Sequence, residues 1–239
     1  MDQIKYDADN WHKTRPEYAE LIFEKEEPAY YTNVLDGVSV FCQNGEKVLE
    51  VGCAGGHNYN RLKKRSPPGT KLDFIGIDIT EDYLAVAKAR IPEAKWVHGD
   101  ARSLPFADKE FDVTFSMLLL LHLDKEGARK ALEEMCRVTK HAVFIHTYAA
   151  AKRYESAIHS ALSEGAAVQV AEDGRVWVHN MTTFLFNIMA LDEFKVPGWR
   201  LEFFTSGDYM NTAAHRDSLG FVPEDMSIFF EMVLIREAE

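Results

Sequence analysis

Apolar positions along this chain fall into short, β-branched and aromatic runs, each followed by a stretch with helical spacing. Val48, Leu49 and Val51, then Leu72–Ile77, Lys95–His98, Phe111–Ser116 and Ala142–His146 predict buried strands, because runs of four to eight such residues bounded by turn formers suit a sheet interior. Between them Asn58–Arg65, Glu81–Arg90 and Lys125–Val138 predict helices, the last carrying Ala128, Leu132, Met135 and Cys136 on one core-facing stripe. Strand and helix alternating in this way predict an α/β fold: a doubly wound, mostly parallel sheet with right-handed crossovers. Trp199–Phe204 and Ser227–Arg236 extend it to a seven-stranded sheet with an antiparallel last strand. Glu17–Glu26, Pro28–Phe41, Ala149–Leu162 and Thr182–Phe194 read as helices, and Gly174–His179 as a short extended piece. The whole, 1–239, reads as a single domain: a helical amino-terminal segment (1–41), a core (47–146), and insertions with the last strands (147–239).

Candidate chemistry gathers at the carboxyl ends of the predicted strands, where open α/β sheets bind ligands. Lys47–Gly56 is an apolar strand carrying one acid, Glu50, that runs into a glycine-rich turn. Gly52, Gly55 and Gly56 suit a turn in which the backbone takes φ > 0 or approaches a ligand. The second strand ends in Asp78-Ile79-Thr80, placing an acid 28 residues after Glu50 where it can accept hydrogen bonds from both hydroxyls of a ribose. Either Asp78 or Thr80 is also a good N-cap for Glu81–Arg90. The third strand ends in Gly99-Asp100-Ala101, which offers a carboxylate and a backbone N–H to the edge of a base such as adenine. The fourth leads through Ser116 and Met117 to His122.

These motifs, over roughly Lys47 to His146, resemble the class I S-adenosylmethionine-dependent methyltransferases, whose acid-hydrophobic-Gly-Cys-Gly-x-Gly signature stands here as Glu50-Val51-Gly52-Cys53-Ala54-Gly55-Gly56. The resemblance implies a methyl transfer with S-adenosyl-L-methionine as cofactor. It places Glu50 near the cofactor's ammonium and passes Gly52, Cys53, Ala54 and Gly56 under its amino-acid portion. Asp78, with Ile79 beside it, would hold the ribose, Asp100 and Ala101 the adenine, and Ser116 and Met117 the methionine side. In the family an amino-terminal segment closes over the cofactor, so Trp11 is a candidate lid residue. Two departures stand out. Ala54 replaces the family's middle glycine, which is compatible with cofactor binding only at φ < 0, since a Cβ is costly at positive φ. No Pro-Gly-Gly precedes the fifth strand, which implies a shortened turn. A nicotinamide dinucleotide is disfavoured because the loop lacks G-x-G-x-x-G spacing, and no Walker-type sequence points to phosphoryl transfer.

A net charge of −11 disfavours nucleic acid as a partner, because that affinity rests on clustered Lys and Arg. Three cysteines without C-x-x-C spacing suggest neither a disulfide framework nor zinc, and no histidine cluster has metal-ligand spacing, so no metal is expected. A reduced, cytoplasmic setting is expected, without a signal peptide or membrane span in the sequence given. The expected partner is a small molecule, of partly apolar or aromatic character given the aromatic residues outside the core, accepting the methyl on O, N or C. His146, at the end of the fifth strand, is the candidate general base, and His122, Tyr148, His179 and Tyr209 are candidate substrate contacts. The competing reading is a non-catalytic S-adenosylmethionine-binding regulatory or partner protein on the same fold.

Overall fold

In the computed structural model the described residues are 32–43, 45–120, 123, 125–149, 168–170, 176–178, 196–208 and 228–238. Trp11, His122, His179 and Tyr209 lie outside them, as do the predicted helices Glu17–Glu26 and Thr182–Phe194 and nearly all of Ala149–Leu162; of Tyr148 only the backbone is described. A helix α1 (Thr32–Gln43) precedes β1 (Lys47–Val51), α2 (His57–Arg65), β2 (Asp73–Asp78), α3 (Glu81–Arg90), β3 (Lys95–His98), β4 (Phe111–Met117), α4 (Lys125–Val138) and β5 (Thr139–Ala149). Then come β6 (Val168–Val170), β7 (Val176–Val178), β8 (Trp199–Asp208) and β9 (Ile228–Arg236).

Seven strands form one sheet in the order β3-β2-β1-β4-β5-β9-β8. β1 to β5 are parallel, and β9 runs antiparallel between β5 and β8, as the sequence pattern predicts. A separate hairpin pairs β6 with β7, within the extended piece expected at Gly174–His179 but with a partner strand that the pattern did not announce.

The sheet is buried on both faces, which is why its strands read as near-continuous apolar runs. On one face Val51, Ile75, Met135 and Ile145 pack among residues of α4. On the other Leu35, Leu62, Leu84, Phe74 and Phe115 join α1, α2 and α3 to the sheet. On this second face the register sets side chains in rows across the strands. Glu50, Phe115, Phe144 and Val233 form one row, and Met117, His146 and Glu231 the next, nearer the carboxyl edge.

The missing Pro-Gly-Gly has a structural counterpart. α4 ends at Val138 and β5 begins at Thr139 without a connecting loop, so the last helical carbonyls need other donors. Arg236 of β9 supplies several: Nη2 donates to the carbonyls of Cys136 (2.8 Å) and Thr139 (2.5 Å), and Nε to that of Lys140 (3.1 Å). Thr139 Oγ1 donates to Met135 O (2.6 Å), and the Lys109 N–H to Arg137 O (2.9 Å). The guanidinium also lies over the Trp199 ring, 4.5 Å from its centroid. Charged donors to carbonyls are worth about 1.5–3 kcal/mol, so Arg236→Ala should lower unfolding free energy by about 2 kcal/mol in a denaturant titration, with Arg236→Lys recovering only part because an ammonium cannot fork across three carbonyls.

Candidate functional site

The turn after β1 is held from beneath by β2. The N–H groups of Gly52 (2.8 Å) and Cys53 (3.1 Å) both donate to Ile77 O. Asp78, at the tip of β2, accepts from the Ala54 N–H through Oδ2 (2.8 Å) and from the Thr80 N–H through Oδ1 (2.9 Å). One carboxylate therefore fixes the glycine turn and the start of α3 together. The helix-capping alternative is only half met: Thr80 is the N-cap residue, but its side chain makes no capping bond. Burial raises the Asp78 pKa, while the N–H donors of Thr80, Ala54 and Ile79 oppose that rise.

The left-handed positions of the turn are Gly52 (φ 77°), Ala54 (φ 46°) and Gly56 (φ 83°). The condition set on Ala54, that cofactor binding requires φ < 0 there, is not met and is too strict, because the structure accommodates its Cβ at positive φ. A non-glycine residue in this region is strained by roughly 1–2 kcal/mol, and the bond to Asp78 helps hold it there. Gly56 needs its missing side chain for a second reason: a Cβ would lie 2.4 Å from the Trp96 ring. The same ring abuts Gly76, again at 2.4 Å from a built Cβ, so Trp96 is wedged under the turn between two glycine backbones. At Gly52 a Cβ would meet Leu119 Cβ at 3.0 Å, since the segment after β4 folds back over the turn with Leu118 left-handed (φ 57°) and its N–H on His146 O (2.7 Å). Cys53 is fully buried, its thiol pKa raised by desolvation, and acts as filler.

Glu50 is 0% exposed, at the second-last position of β1. Its Oε1 accepts from Asn58 Nδ2 (2.7 Å), whose Oδ1 accepts from Arg61 Nη1 (2.9 Å), both on α2. Desolvation pushes the Glu50 pKa up to about 8 against the opposing effects of Asn58 and Arg61. Oε2 has no hydrogen-bond partner, and neither does the buried Oγ of Ser116 on β4. A buried, unsatisfied carboxyl oxygen beside a turn built of left-handed residues is suited to a cationic donor such as an ammonium group.

At the third tip Asp100 is half-buried and already engaged. Arg102 Nη2 donates to Oδ2 (2.6 Å), its Nε to Oδ1 (3.0 Å), and its backbone N–H to Oδ1 (2.8 Å). Burial raises the Asp100 pKa but the Arg102 donors outweigh it, so the group is held below its usual value. A base amine reaching this carboxylate shares it with Arg102. Ala101 follows at the same bend, and Ile79 has its carbonyl 3.0 Å from His98 Nε2. The loop beyond is anchored to α4: Glu134 accepts from the Leu104 N–H (2.7 Å), and Arg137 donates to the carbonyls of Leu104 (3.1 Å) and Phe106 (2.9 Å).

The structure thus brings Glu50, Gly52, Cys53, Ala54, Gly56, Asp78, Ile79, Asp100, Ala101, Ser116 and Met117 to one edge of the sheet. His146 reaches that edge on β5 but is 0% exposed, with Nδ1 3.4 Å from Oε1 of Glu231. Asn58, Arg61, Trp96, Arg102 and Glu231 are site residues that the motifs did not single out. Asn58 had a signal, as a polar residue in the first turn after the glycine loop; the others act through contacts between distant segments. Among the described residues no cluster of three or more metal-ligating side chains occurs, and no helix is long and apolar enough to cross a membrane.

Residues 48–142 match the family model described as a methyltransferase domain. A demethylmenaquinone methyltransferase of Paenarthrobacter aurescens is 35% identical over 107 residues, which are 45% of this chain and 39% of that protein. The chain spans about two fifths of the length of the curated relatives it matches. A SAM-dependent methyltransferase from Methanosarcina mazei shares the fold with a TM-score of 0.61 at 16% identity, covering 84% of this chain and 97% of that one. The magnesium protoporphyrin IX methyltransferase of Synechocystis, crystallised with bound SAM, gives 0.57 at 11% identity, covering 98% and 100%.

Two predictions follow from the strain and the buried acid. Ala54→Gly should raise unfolding free energy by about 0.5–1 kcal/mol, the relief of the left-handed Cβ less the extra freedom of the unfolded chain, measured by chemical denaturation. Glu50 stays protonated in the folded protein up to about pH 8 but ionises near 4.5 when unfolded. The folded state holds the extra proton between those values, so this group makes the ligand-free protein lose stability as pH rises through that window. Glu50→Gln should remove that part of the slope, seen as a flatter dependence of the thermal midpoint on pH.

Proposed function

We propose, from the premise that residues 48–142 belong to the methyltransferase-domain family of class I, S-adenosylmethionine-dependent type, that this chain binds S-adenosylmethionine at the carboxyl edge of its sheet and transfers the methyl group to a small molecule. The observation that carries the reading is the buried, unpartnered Oε2 of Glu50 next to a turn whose backbone is pinned by Asp78. The residues present fit the cofactor. Glu50 offers a carboxyl oxygen to the ammonium, and Gly52, whose missing Cβ lets Leu119 close against the turn, belongs to the backbone proposed to run beneath the amino-acid portion. Asp78, whose carboxylate also takes the N–H donors of Ala54, Thr80 and Ile79, is the group proposed for the ribose hydroxyls, and Asp100 with Ala101 for the adenine edge. The bound cofactor supplies an electrophilic methyl on a sulfonium.

What the protein adds is alignment and exclusion of water. Displacement at the methyl carbon is in line, so an acceptor held opposite the sulfur gains much of its rate from positioning, on the order of 7–11 kcal/mol in favourable cases. The acceptor side falls over β4 and β5, where Ser116 and Met117 close β4 and His146 stands three residues before the end of β5, with Tyr148 further along the same strand. Trp11, His122, His179 and Tyr209 remain proposed contacts for the lid and the acceptor. His146 is proposed as the group that takes a proton where the acceptor must lose one.

Calorimetric titration with S-adenosylhomocysteine tests the reading. The wild-type chain should bind it; Asp78→Ala should weaken binding by about 1.5–3 kcal/mol through lost hydroxyl bonds to a charged group, and Gly52→Val should abolish it while leaving a cooperative unfolding transition. Wild-type protein that shows no binding contradicts the proposal, and an Asp78→Ala variant of unchanged affinity removes Asp78 from the site.

A further inference from the structure

Glu231 lies in β9 in register with His146 of β5, 4% exposed, with Oε1 3.4 Å from Nδ1 of the imidazole. The row it completes holds Met117 on β4. A carboxylate buried there gives up its hydration, and a position whose only task were filling the sheet would be served better by an apolar residue. The pair stands one row beyond Glu50, at the edge where β4 and β5 end and where Leu118 is bonded to the His146 carbonyl.

Resting on the methyl-transfer reading above, the geometry points to Glu231 as the positioning residue for His146: it accepts the Nδ1 proton, leaves the Nε2 lone pair as the base, and so selects an acceptor that must shed a proton, a phenolic or enolic hydroxyl. The step balances. The hydroxyl oxygen forms a bond to the methyl carbon, the carbon–sulfur bond breaks with its pair left on sulfur, and the hydroxyl proton moves to Nε2. The positive charge that leaves sulfur ends on the imidazolium, beside the Glu231 carboxylate, where it is stabilised.

Burial lowers the His146 pKa, and the hydrogen bond and charge of Glu231 oppose that fall. From the elements around the pair, β4 presents Met117 and β8 brings Thr205 into register. β1 carries Glu50 one row away, α1 the buried Cys42, and α2 His57 and Arg61. Loss of the Glu231 charge should therefore make the imidazole harder to protonate and reduce its strength as a base.

The test pairs a binding readout with turnover on the full chain. Wild type, Glu231→Gln and Glu231→Asp are titrated with S-adenosylhomocysteine. They are then assayed for methyl transfer from labelled S-adenosylmethionine to a panel of a naphthohydroquinone, a catechol, a fatty acid and a primary amine. Imidazole nitrogen shifts of His146 are followed by NMR against pH. The expected result is transfer to a hydroxyl compound, with Glu231→Gln lowering kcat roughly 10- to 100-fold at unchanged S-adenosylhomocysteine affinity. The acidic limb of the kcat profile and the His146 titration should both move about one unit or more to lower pH, with Glu231→Asp restoring most of both. Should Glu231→Gln fail to fold, a solvent deuterium isotope effect on wild-type kcat replaces it. Equal kcat and an unmoved limb in a folded Glu231→Gln, or no isotope effect, overturns the inference. So does transfer to the amine or the carboxylate alone, or binding of S-adenosylhomocysteine with no transfer to any of the four. Absence of S-adenosylhomocysteine binding to wild type is the separate result that removes the underlying reading.

Discussion

A fully buried glutamate one residue before the end of β1 is the constraint on which the rest of the site turns. Glu50 has given up water for one hydrogen bond from Asn58 and keeps a second oxygen unsatisfied. An acid so placed is driven to neutrality, and its environment is built to make ionisation conditional on a cation arriving. The surrounding backbone is also held away from its relaxed state: Ala54 and Leu118 are both left-handed, one on each side of the cleft between β1 and β4. Strain and an unsatisfied acid both lower the stability of the ligand-free protein, and both stand at the edge where binding energy would be recovered.

Around that acid the sheet divides the work by rows and by strand tips. β1 and β2 form one cradle through Ile77, Asp78 and the glycine turn, which suits the amino-acid and ribose portions of a nucleoside-like ligand. The loop after β3 is locked to α4 by Glu134 and Arg137, so Asp100, the group proposed for the adenine edge, is carried on a supported loop. β4, β5 and β9 bring up Met117, His146 and Glu231 in the next row, the part of the edge proposed for the acceptor. The match to the methyltransferase-domain model covers residues 48–142, which carry the β1 and β2 cradle, and stops short of His146 and Glu231.

The strand-and-helix alternation was legible because it depends on local pattern: the apolar runs at β1, β2 and β4 have two buried faces and no competing periodicity. The parallel core and the antiparallel last strand followed from the same pattern, whereas the order of the strands comes from the structure. Features imposed by distant partners were not legible. Ala54 takes φ > 0 although nothing local favours it, because a carboxylate 24 residues away holds its N–H. Gly56 reads as a ligand-approach glycine, yet the Trp96 ring also occupies the space of its Cβ. Asp100 was recognised as an edge acceptor, but not that Arg102 already grips it. Glu231 carried no signal at all, since its meaning comes from an antiparallel pairing that sets it against a histidine 85 residues earlier. Arg236 likewise stands in for a turn motif that the sequence lacks, from the neighbouring strand β9, about 100 residues later in the chain.

The most direct measurement of the central claim is the number of protons exchanged when S-adenosylhomocysteine binds, obtained by calorimetry at pH 7 in two buffers of different ionisation enthalpy. An acid that is neutral in the free protein and ionised against an ammonium predicts release of about one proton per bound molecule, declining above pH 8. Tight binding without proton release at pH 7 would contradict the account, since Glu50 would then be ionised in the free protein or remote from the ligand's charge.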